Sequence, residues 1–432
     1  MFRTYMSCLG LGTFNESVKK YEYKQANYEL DGKRAKPTEF VQVAEAEILG
    51  PDSFDRFLIV PTQKSYDYHF HNLNAQLTDL GVTNIIPLIV EEDMSAENQW
   101  KWFEQILEHI EPGAELTVDL THGYRSLPII ISTAINFLQK ARNIRLNAVY
   151  YGVYDKQRVL GFTPIIDMKD FYIINEWAEA VSRLVEDADA RKMADLAVQT
   201  PEFQAGELNN QEIIDALDDL TNTVRNVDIN NVAIKANTAI RLVKKAESHA
   251  STTGRILLNL VLDKFTSVAT DEPLSGFYDR RYFILQLEII KLLLEHRLFM
   301  QAYTVMREFI GSIGLIGIEG AKIDTAKGRK RRYRFAEVFI NMYQFDRDRW
   351  NFSDQQQRSV DKLIPFYEKL EKIGIGPMLR QYSKILTEYR NGFDHAWTMK
   401  PETPNDIEKT GNEIFANLNN IIDFMVKNGI LS

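Results

Sequence analysis

The turn at residues 121–128 carries side chains suited to hold an anionic ligand. It lies between a strand-like run at 116–120 and a helix-like run at 129–134. In such a turn, free backbone N–H groups and the positive end of a helix dipole meet at the carboxyl edge of a sheet, where an anion is stabilised. Thr121, His122 and Arg125 add side-chain donors that suit phosphate. The alternative is an ordinary βα turn whose polar residues cap the helix.

A second group of residues suited to phosphate chemistry lies around Arg390. Histidine, with an ordinary pKa near 6.5, exchanges protons at neutral pH, and arginine presents a planar fork to phosphate oxygens. The step from Arg390 to His395 spans about 500° on a regular helix, which leaves the two side chains roughly 140° apart. Gly392 therefore predicts that the helix ends or loosens just after Arg390, so that His395 turns towards the same cleft. The alternative is a helix C-terminus whose cations complement its dipole.

The elements that would position these groups change character near residue 175. Before it, strand-like runs at 56–60, 84–90, 116–120 and 145–151 alternate with helical patterns at 97–110 and 128–141. This alternation predicts a parallel α/β sheet, and Asp31 with Gly32 predicts the turn of an early hairpin. After residue 175 the 3.6-residue period predicts an almost wholly helical remainder. Its helices are predicted at 176–198, 210–227, 232–249, 253–267, 282–314, 361–373 and 377–391.

The composition limits the class of protein. With 432 residues and 45% hydrophobic content, the chain can bury large cores and is expected to form two or three domains, with breaks near Pro201 and residues 271–276. Its single cysteine, Cys8, excludes an internal disulfide and suits a reducing cytoplasm. No apolar run approaches the roughly 18 residues that span a bilayer, so a soluble, cytoplasmic protein with no membrane partner is expected. The net charge of -9 argues against broad non-specific affinity for nucleic acid.

Three segments of the sequence resemble one known family. Residues 119–123 read D-x-T-H-G, which resembles the signature of CARF domains, the cyclic-oligoadenylate sensors of type III CRISPR systems. Residues 6–13 resemble the first strand and ligand loop of that family, and residues 58–62 resemble its second strand and loop. Residues 389–395 resemble the R-x(4–6)-H motif of HEPN ribonucleases, and residues 295–309 resemble the long helix that opens the HEPN domain. Over nearly its whole length, the chain is similar to CARF–HEPN ancillary ribonucleases.

The resemblance implies an architecture and a ligand site. It implies a Rossmann-like α/β CARF domain at 1–175, an all-α linker domain at 176–275 and a HEPN domain at 276–432, assembled as a homodimer. It also implies that a cyclic oligoadenylate, as allosteric activator, binds between two CARF domains, with the tetra-adenylate ring favoured over the hexamer. The ligand residues that it implies are Gly10, Gly12, Thr13, Phe14, Asn15, Pro61, Thr62, Gln63, Thr121, His122, Gly123, Tyr124 and Arg125.

The resemblance further implies cleavage of single-stranded RNA without a metal or other cofactor. The ribose 2′-OH attacks the adjacent phosphate, so the enzyme must align the attack, move protons and stabilise negative charge. Arg390, Asn391 and His395 are the implied catalytic residues, with Arg390 on phosphate oxygens and Asn391 positioning its neighbours. Whether His395 acts as base, acid or phosphate donor stays open.

A basic segment at residues 327–334 stands out in this acidic chain. Such clusters attract phosphate backbones, and Tyr333 within it can stack on a base. We interpret the segment as an RNA-docking surface beside the HEPN site, and a solvated mobile loop is the alternative. Its cations are Lys327, Arg329, Lys330, Arg331, Arg332 and Arg334.

Other interpretations of the same residues predict other functions. Gly10 and Gly12 suggest a dinucleotide site, but Asn15 replaces the third glycine of G-x-G-x-x-G, which argues against a Rossmann dehydrogenase. His69 and His71 would share one face of a strand, where a solvent-facing or capping role is favoured over a metal pair. A non-catalytic CARF sensor that binds partners or nucleic acid, and a ring nuclease that degrades its activator, remain as alternatives. Ring size, RNA sequence preference and oligomers above the dimer stay open.

Overall fold

The structure, a computed structural model, describes residues 1–93, 95–123, 126–200, 207–270, 275–323, 325–398 and 406–431. The chain divides into two compact units, Met1–Asn175 and Glu176–Ser432. The division of the second unit into a linker domain and a HEPN domain at residue 275 stays a prediction. Pro201 and most of the predicted break at 271–276 lie outside the described residues, as do the predicted ligand residues Tyr124 and Arg125.

The first unit is built around a mainly parallel sheet. Its strand order is β5-β4-β10-β9-β8-β1-β6-β7, while β2 and β3 form a separate antiparallel hairpin. The five strands β1, β6, β7, β8 and β9 run parallel, and β10 runs antiparallel to β9. The bounds are β1 Arg3–Leu9, β2 Thr13–Asn15, β3 Lys20–Glu22, β4 Tyr28–Leu30, β5 Lys33–Arg34, β6 Arg56–Pro61, β7 Ile85–Pro87, β8 Glu115–Asp119, β9 Arg145–Gly152 and β10 Thr163–Asp167.

Helices cover both faces of this sheet. Successive side chains of a strand point to opposite faces, so a strand buried on both sides is apolar at most of its positions. In β1, Tyr5 and Leu9 pack with α1 and α3, whereas Met6 and Cys8 pack with α4 and α5. The helix bounds are α1 Val41–Leu49, α2 Gln63–Ser65, α3 His71–Asp79, α4 Ala96–Glu108, α5 Leu127–Ala141 and α6 Gln157–Leu160.

The order of the strands creates a crevice beside the central strand β1. Strands β6 and β7 extend the sheet on one side of β1, and β8 and β9 extend it on the other. At such a reversal the connections leave the sheet in opposite directions, and ligands bind in the opening outside the carboxyl ends of the strands. Because β8 ends at Asp119 and α5 begins at Leu127, the turn with the D-x-T-H-G residues lies at this opening.

The predicted fold class is confirmed: a parallel α/β sheet is followed by a helical region. The predicted hairpin turn is also present, because β4 and β5 pair antiparallel across Asp31 and Gly32. These two residues have φ values of 50° and 78°, the positive backbone angles that a two-residue type I′ turn requires.

The remainder of the chain is helical over its described residues. None of these helices is long and apolar enough to cross a membrane. Their bounds are α7 Asp170–Asp187, α8 Arg191–Gln199, α9 Gln211–Arg225, α10 Ile229–Glu247, α11 Thr252–Phe265, α12 Arg280–Glu295, α13 Phe299–Ile316, α14 Ala326–Gln344, α15 Asp354–Lys372, α16 Gly376–Asp394 and α17 Ile407–Lys427.

Two of the predicted long helices were wrong. The pattern at 176–198 is divided between α7 and α8, and the pattern at 282–314 is divided between α12 and α13. Ala188 and Arg297 lie at the two breaks with φ values of 51° and 56°, a left-handed conformation that ends a helix. Residues 295–309 are therefore not the single opening helix that the resemblance implied. The apolar spacing continues across each break, so it does not indicate where the chain turns.

Candidate functional site

A buried carboxylate, Asp119, organises the crevice at the end of β8. Its oxygens accept hydrogen bonds from the Ser7 hydroxyl at 2.7 Å and from the Thr121 backbone N–H at 3.1 Å, and also from the Thr121 hydroxyl. Burial raises the pKa of Asp119 to about 6, although the bonds from Thr121 and Ser7 oppose this shift. Asp119 therefore stabilises the turn from beneath it and is not exposed to a ligand.

The hydroxyl of Thr121 is fully engaged within the protein. It donates to Asp119 and accepts the backbone N–H of Gly152 at 2.8 Å, which ties the end of β8 to the end of β9. Gln42 extends this network because its amide donates to the Ser7 hydroxyl and to the Cys8 carbonyl, each at 2.9 Å. The predicted phosphate contact from Thr121 would thus have to use a hydroxyl that already has two partners.

His122, the next residue, has an unused ring nitrogen. Its Nε2 atom is buried and has no hydrogen-bond partner among the described residues. Burial lowers the pKa of His122 to about 4, so the ring is neutral at pH 7 and can offer one N–H and one acceptor nitrogen. The ring meets Tyr23 edge to face, with 4.9 Å between ring centroids. Of the turn's described side chains, His122 is the one best prepared to contact a ligand.

A cleft of about 330 Å³ opens next to these residues. Of the residues predicted to bind the ligand, it is lined by Gly12, Thr13, Thr121 and His122. The sequence interpretation missed the other lining residues, although Tyr151 ends a predicted strand and Gly152 follows it directly, which offered a signal. These missed residues are Glu22, Tyr23, Lys24, Tyr28, Tyr151, Gly152, Val153, Tyr154 and Asp155.

Two glycines let the backbone close up around the cleft. Gly123 has a φ of 109°, and a Cβ atom there would lie 2.9 Å from the Cβ of Cys8. Gly12 has a φ of 71°, and a Cβ atom there would lie 2.4 Å from the carbonyl oxygen of Glu22. Both positions combine a left-handed conformation with a close approach, so each requires glycine.

The loop after β1 is held by residues with an unexpected role. His69 lies in a π-helical segment, Tyr66–Phe70, and not on a strand, so the pairing with His71 on one strand face was wrong. His69 is buried, and its Nε2 contacts the carbonyl of Leu11 at 2.9 Å. Tyr23 contacts both His69 and His122, with 4.9 Å between ring centroids in each case. His69 therefore fixes the loop that carries Gly10 and Gly12.

Other predicted ligand residues lie beside this loop. Phe14 and Asn15 lie in β2, where Phe14 packs against Tyr21 at 5.0 Å and Asn15 donates to Glu22 at 2.8 Å. Gly10 is near the turn, because a Cβ atom on it would lie 3.4 Å from the backbone nitrogen of Gly123.

The predicted ligand residues after β6 are engaged in their own local structure. Pro61 ends β6, and Thr62 caps α2 through a reciprocal pair of hydrogen bonds with Ser65. The Thr62 hydroxyl also lies 3.1 Å from a carboxylate oxygen of Glu92. Gln63 is exposed and donates to Asp67 at 2.8 Å.

The candidate nuclease residues lie at the end of α16 in the second unit. Arg390, Asn391 and His395 are all exposed. The helix continues to Asp394, so the prediction that it ends just after Arg390 was wrong, and His395 instead forms its C-terminal cap. Gly392 lies within the helix. A Cβ atom there would be 2.4 Å from the ring of Trp397, so close packing requires glycine at this position. The Nε atom of Arg390 forms an ion pair with Asp394 at 2.8 Å.

Aromatic and charged contacts fix α16 in the second unit. Tyr389, next to Arg390, stacks on Tyr303 of α13 with 4.6 Å between ring centroids. One turn earlier, Thr387 accepts a hydrogen bond from the buried Arg307 at 3.3 Å. The guanidinium of Arg307 also donates to both carboxylate oxygens of Glu337, at 2.7 and 3.0 Å. Helices α13, α14 and α16 therefore meet directly behind the candidate nuclease residues.

The basic segment forms the first turns of α14 and is not a loop. Arg331 donates to the Glu319 carbonyl at 2.6 Å, and Arg334 donates to Ser359 at 3.1 Å. Arg332 is held most firmly, because it contacts Ser312 and Glu308 of α13, each at 2.7 Å. The exposed residues of the segment are Lys327, Arg329, Lys330, Tyr333 and Arg334, with Tyr333 at 88% exposure.

Comparisons with known proteins give a weak sequence relative and weak structural likenesses. No protein-family model matches the chain. The chain is similar to the CRISPR-associated protein MJ1674 of Methanocaldococcus jannaschii, with 22% identity over 224 residues, which cover 41% of this chain and 35% of that protein. The match thus spans about a third of that relative's length. The structure is similar to Enterococcus italicus Csm6 bound to cyclic hexa-2'-fluoro-hexa-dAMP, with a TM-score of 0.41 and 10% identity, over 100% of this chain and 95% of that chain.

Proposed function

We propose that the chain is a CARF–HEPN endoribonuclease of a CRISPR defence system, activated by a cyclic oligoadenylate. The observation that carries the proposal is the cleft beside β1 and β8, which Thr121 and His122 of the D-x-T-H-G turn line. The buried Nε2 atom of His122 has no partner among the described residues. The similarity to a CRISPR-associated protein supports the same assignment.

The cleft suits part of a phosphodiester ring. Gly12, Thr13 and His122 offer backbone and ring N–H groups for phosphate oxygens, and Lys24 adds a positive charge. In a homodimer, a twofold axis brings two such clefts to one central site, and a ring with an even number of adenylates can share that axis. We favour cyclic tetra-adenylate as the activator.

The candidate nuclease residues suit metal-independent RNA cleavage. Arg390 is exposed and can exchange its ion pair with Asp394 for contacts to a phosphodiester, while the exposed imidazole of His395 can donate or accept a proton. Two copies of this site meet across the dimer in the proposed enzyme. Among the described residues, no group of three His, Cys, Asp or Glu side chains is arranged to hold a metal ion.

Activation requires the ring to bind the active dimer more tightly than the inactive one. A change from about 1% to about 99% active needs roughly 5.5 kcal/mol of differential binding. Phosphate contacts from both protomers can supply a free energy of this size.

The test is RNA cleavage by the purified protein with cyclic adenylates of each ring size. We expect cleavage only with an activating ring, in the presence of EDTA, with 2′,3′-cyclic phosphate ends on the products. Arg390→Ala and His395→Ala should each lower the rate at least about 10²-fold, as expected for loss of a charge-stabilising or acid–base group. Lys384→Ala, which changes another exposed cation of α16, is the matched control and should keep the wild-type rate.

Three results would contradict the proposal. Near-wild-type turnover by His395→Ala would remove this residue from the reaction, and a strict need for Mg²⁺ would indicate a metal-dependent nuclease. Ring binding without RNA cleavage would favour the non-catalytic sensor instead.

A second candidate function is cleavage of the activator itself within the cleft. His122 favours it, because its Nε2 atom has no partner among the described residues and a neutral imidazole can accept a proton from a ribose hydroxyl held beside it. Incubation of the protein with labelled ring tests this activity, which His122→Phe should abolish. Intact ring after many hours with wild-type protein would exclude it.

A further inference from the structure

The cleft of the first unit has two chemically different sides. On one side lie the glycine loop and His122, which offer N–H groups. On the other side lie Tyr151 of β9 and, in the segment that follows this strand, Tyr154 and Asp155. The two sides are joined by the hydrogen bond from the Gly152 backbone to the Thr121 hydroxyl, at 2.8 Å. A ligand that fills the cleft must therefore present different groups to each side.

The carboxylate of Asp155 determines which part of a ligand can bind on the side of the cleft that it lines. This carboxylate lines the cleft, is exposed, and has no hydrogen-bond or ion-pair partner among the described residues. In contrast, Glu22, the other carboxylate in the lining, is engaged by the Asn15 amide at 2.8 Å. An ionised carboxylate accepts hydrogen bonds and donates none, so Asp155 repels phosphate and needs a donor from the ligand.

The aromatic residues on the same side suit a base. Tyr151 and Tyr154 are 40% and 44% exposed, so their rings are accessible. Nucleobases stack on such rings with little regard to base identity. The volume of about 330 Å³ lies at the low end for ligand pockets, roughly 300 to 1,000 Å³, which suits one nucleotide of a ring.

We propose that Asp155 selects adenine by accepting a hydrogen bond from its exocyclic amino group while the base stacks on Tyr154. Adenine presents the N6 amino donor at this position, whereas guanine and hypoxanthine present an O6 acceptor that the carboxylate would repel. This inference rests on the proposed function, since it takes the ligand to be a cyclic oligoadenylate. The D-x-T-H-G turn then holds the phosphates, and the segment after β9 reads the base.

The test compares cyclic tetra-adenylate with cyclic tetra-inosinate by calorimetry. Wild-type protein should bind the adenylate ring about 10²- to 10⁴-fold more tightly, the value of two hydrogen bonds to charged groups, because one ring contacts Asp155 of both protomers. Asp155→Asn should lower the adenylate affinity and raise the inosinate affinity, because an amide can also donate to O6, so the ratio falls at least about tenfold. Glu104→Gln, an exposed carboxylate on α4 outside the cleft, is the matched control and should keep the wild-type ratio.

Changes at Tyr154 separate stacking from selection. Tyr154→Leu removes one stacked ring from each protomer and should weaken both cyclic nucleotides about equally, by at least about 30-fold, because stacking tolerates any base. Tyr154→Phe should restore binding. A third ring, 2′-deoxy cyclic tetra-adenylate, tests the ribose. Asp155→Asn should leave the affinity ratio of the ribose and deoxyribose rings unchanged.

The outcomes distinguish this inference from the proposed function. If wild-type protein binds the adenylate ring and Asp155→Asn leaves the base ratio unchanged, the inference is wrong and the proposed function stands. An altered ribose ratio with an unaltered base ratio would assign Asp155 to the 2′-hydroxyl and overturn adenine selection. If wild-type protein binds no ring of any size, the proposed function of the first unit fails, and the inference fails with it.

Discussion

Adjacent residues in the D-x-T-H-G turn have different structural roles. Asp119 and Thr121 hold β8, β1 and β9 together through buried hydrogen bonds, whereas the His122 nitrogen is unused among the described residues. A motif of five letters therefore combines a structural part with a part available to the ligand, and the two can be separated experimentally.

Thr121→Val should mainly lower stability, whereas His122→Phe should mainly lower the affinity for the cyclic oligoadenylate. Thr121→Val leaves Asp119 and the Gly152 N–H short of a partner, so the free energy of unfolding should fall by about 1–3 kcal/mol. At pH 7, His122→Phe keeps a ring beside Tyr23 and should change stability by less than about 1 kcal/mol. It should weaken binding of the cyclic oligoadenylate about 10²- to 10⁴-fold, because both protomers lose a contact. Urea unfolding and calorimetry measure both effects. If Thr121→Val lowered the affinity for the cyclic oligoadenylate without lowering stability, the Thr121 hydroxyl would be a ligand contact and not a structural group.

The pH dependence of stability should show the same division. Folded Asp119 keeps its proton up to a pKa of about 6, so between about pH 4 and 6 the unfolded chain ionises first and Asp119 makes stability fall as pH rises. His122 has the opposite effect, because its folded pKa of about 4 leaves the unfolded chain binding more protons up to about pH 6.5. Each group contributes a slope of at most about 1.4 kcal/mol per pH unit.

Two variants isolate these slopes. The stability deficit of Asp119→Asn should be largest at pH 4 and should shrink towards pH 6, because the variant lacks the group that weakens the fold in that range. The free energy of unfolding of His122→Phe, relative to wild type, should be highest at pH 4 and should fall towards pH 6.5. If stability changed with pH in the same way for wild type and both variants, the shifted pKa values of Asp119 and His122 would be contradicted.

Residue identity alone predicted part of the candidate sites. The D-x-T-H-G letters and the glycines after β1 are local patterns, and Gly12, Thr13, Thr121 and His122 do line one cleft. Tyr154 and Asp155 reach the same cleft only because β9 lies beside β8, which is a property of the sheet and not of nearby sequence. The helix end expected at Gly392 was wrong because close packing against Trp397, and not chain reversal, requires that glycine.

At the scale of elements, α14 illustrates why a charged run was hard to interpret. Its basic letters suggested either a docking surface or a mobile loop, but the residues that follow, Phe335, Phe339 and Tyr343, are buried along one helical face. The helix starts at a Thr325 cap and carries its cations around its first turns. Some of these cations are therefore exposed, while Arg332 is used to attach α14 to α13.

The exposed lysines of α14 should contribute to RNA binding without affecting the fold. Lys327→Ser with Lys330→Ser should weaken RNA binding, with unchanged affinity for the activator. The slope of log affinity against log salt concentration should fall by the amount expected for up to about two lost phosphate contacts. Lys244→Ser with Lys245→Ser, two exposed lysines of α10, is the matched control. Fluorescence anisotropy across a salt series measures both. Equal salt slopes in all three proteins would mean that α14 does not dock RNA.

Helix boundaries were predicted less well than helix content. The breaks at Ala188 and Arg297 depend on left-handed residues that have no glycine or proline signal in the sequence. The helix α17 was missed altogether, even though it buries Ile414, Leu418 and Ile422 at helical spacing. The four predicted strand runs correspond to β6, β7, β8 and β9, because β-branched runs bounded by polar turns are short and distinct. The antiparallel strand β10 was missed.

At the scale of the whole molecule, the proposed assembly predicts a stoichiometry. If two first units share a twofold axis at the cleft, one cyclic tetra-adenylate should bind per dimer, which calorimetry can count against a dimer mass from sedimentation equilibrium. Two independent rings per dimer, or a monomer that binds a ring by itself with the same affinity, would overturn this assembly.

The central position of β1 has a consequence for the order in which the protein is made. Ser7 of β1 and Asp119 of β8 are hydrogen-bonded but lie 112 residues apart in the chain. At roughly 5–20 residues per second, a ribosome needs roughly 6 to 22 s to synthesise that interval, during which one edge of β1 has no native neighbour. An open apolar edge invites pairing with a strand of another nascent chain. The same strand order that creates the cleft thus leaves each new polypeptide with a period of seconds in which β1 is exposed to pairing with the wrong strand.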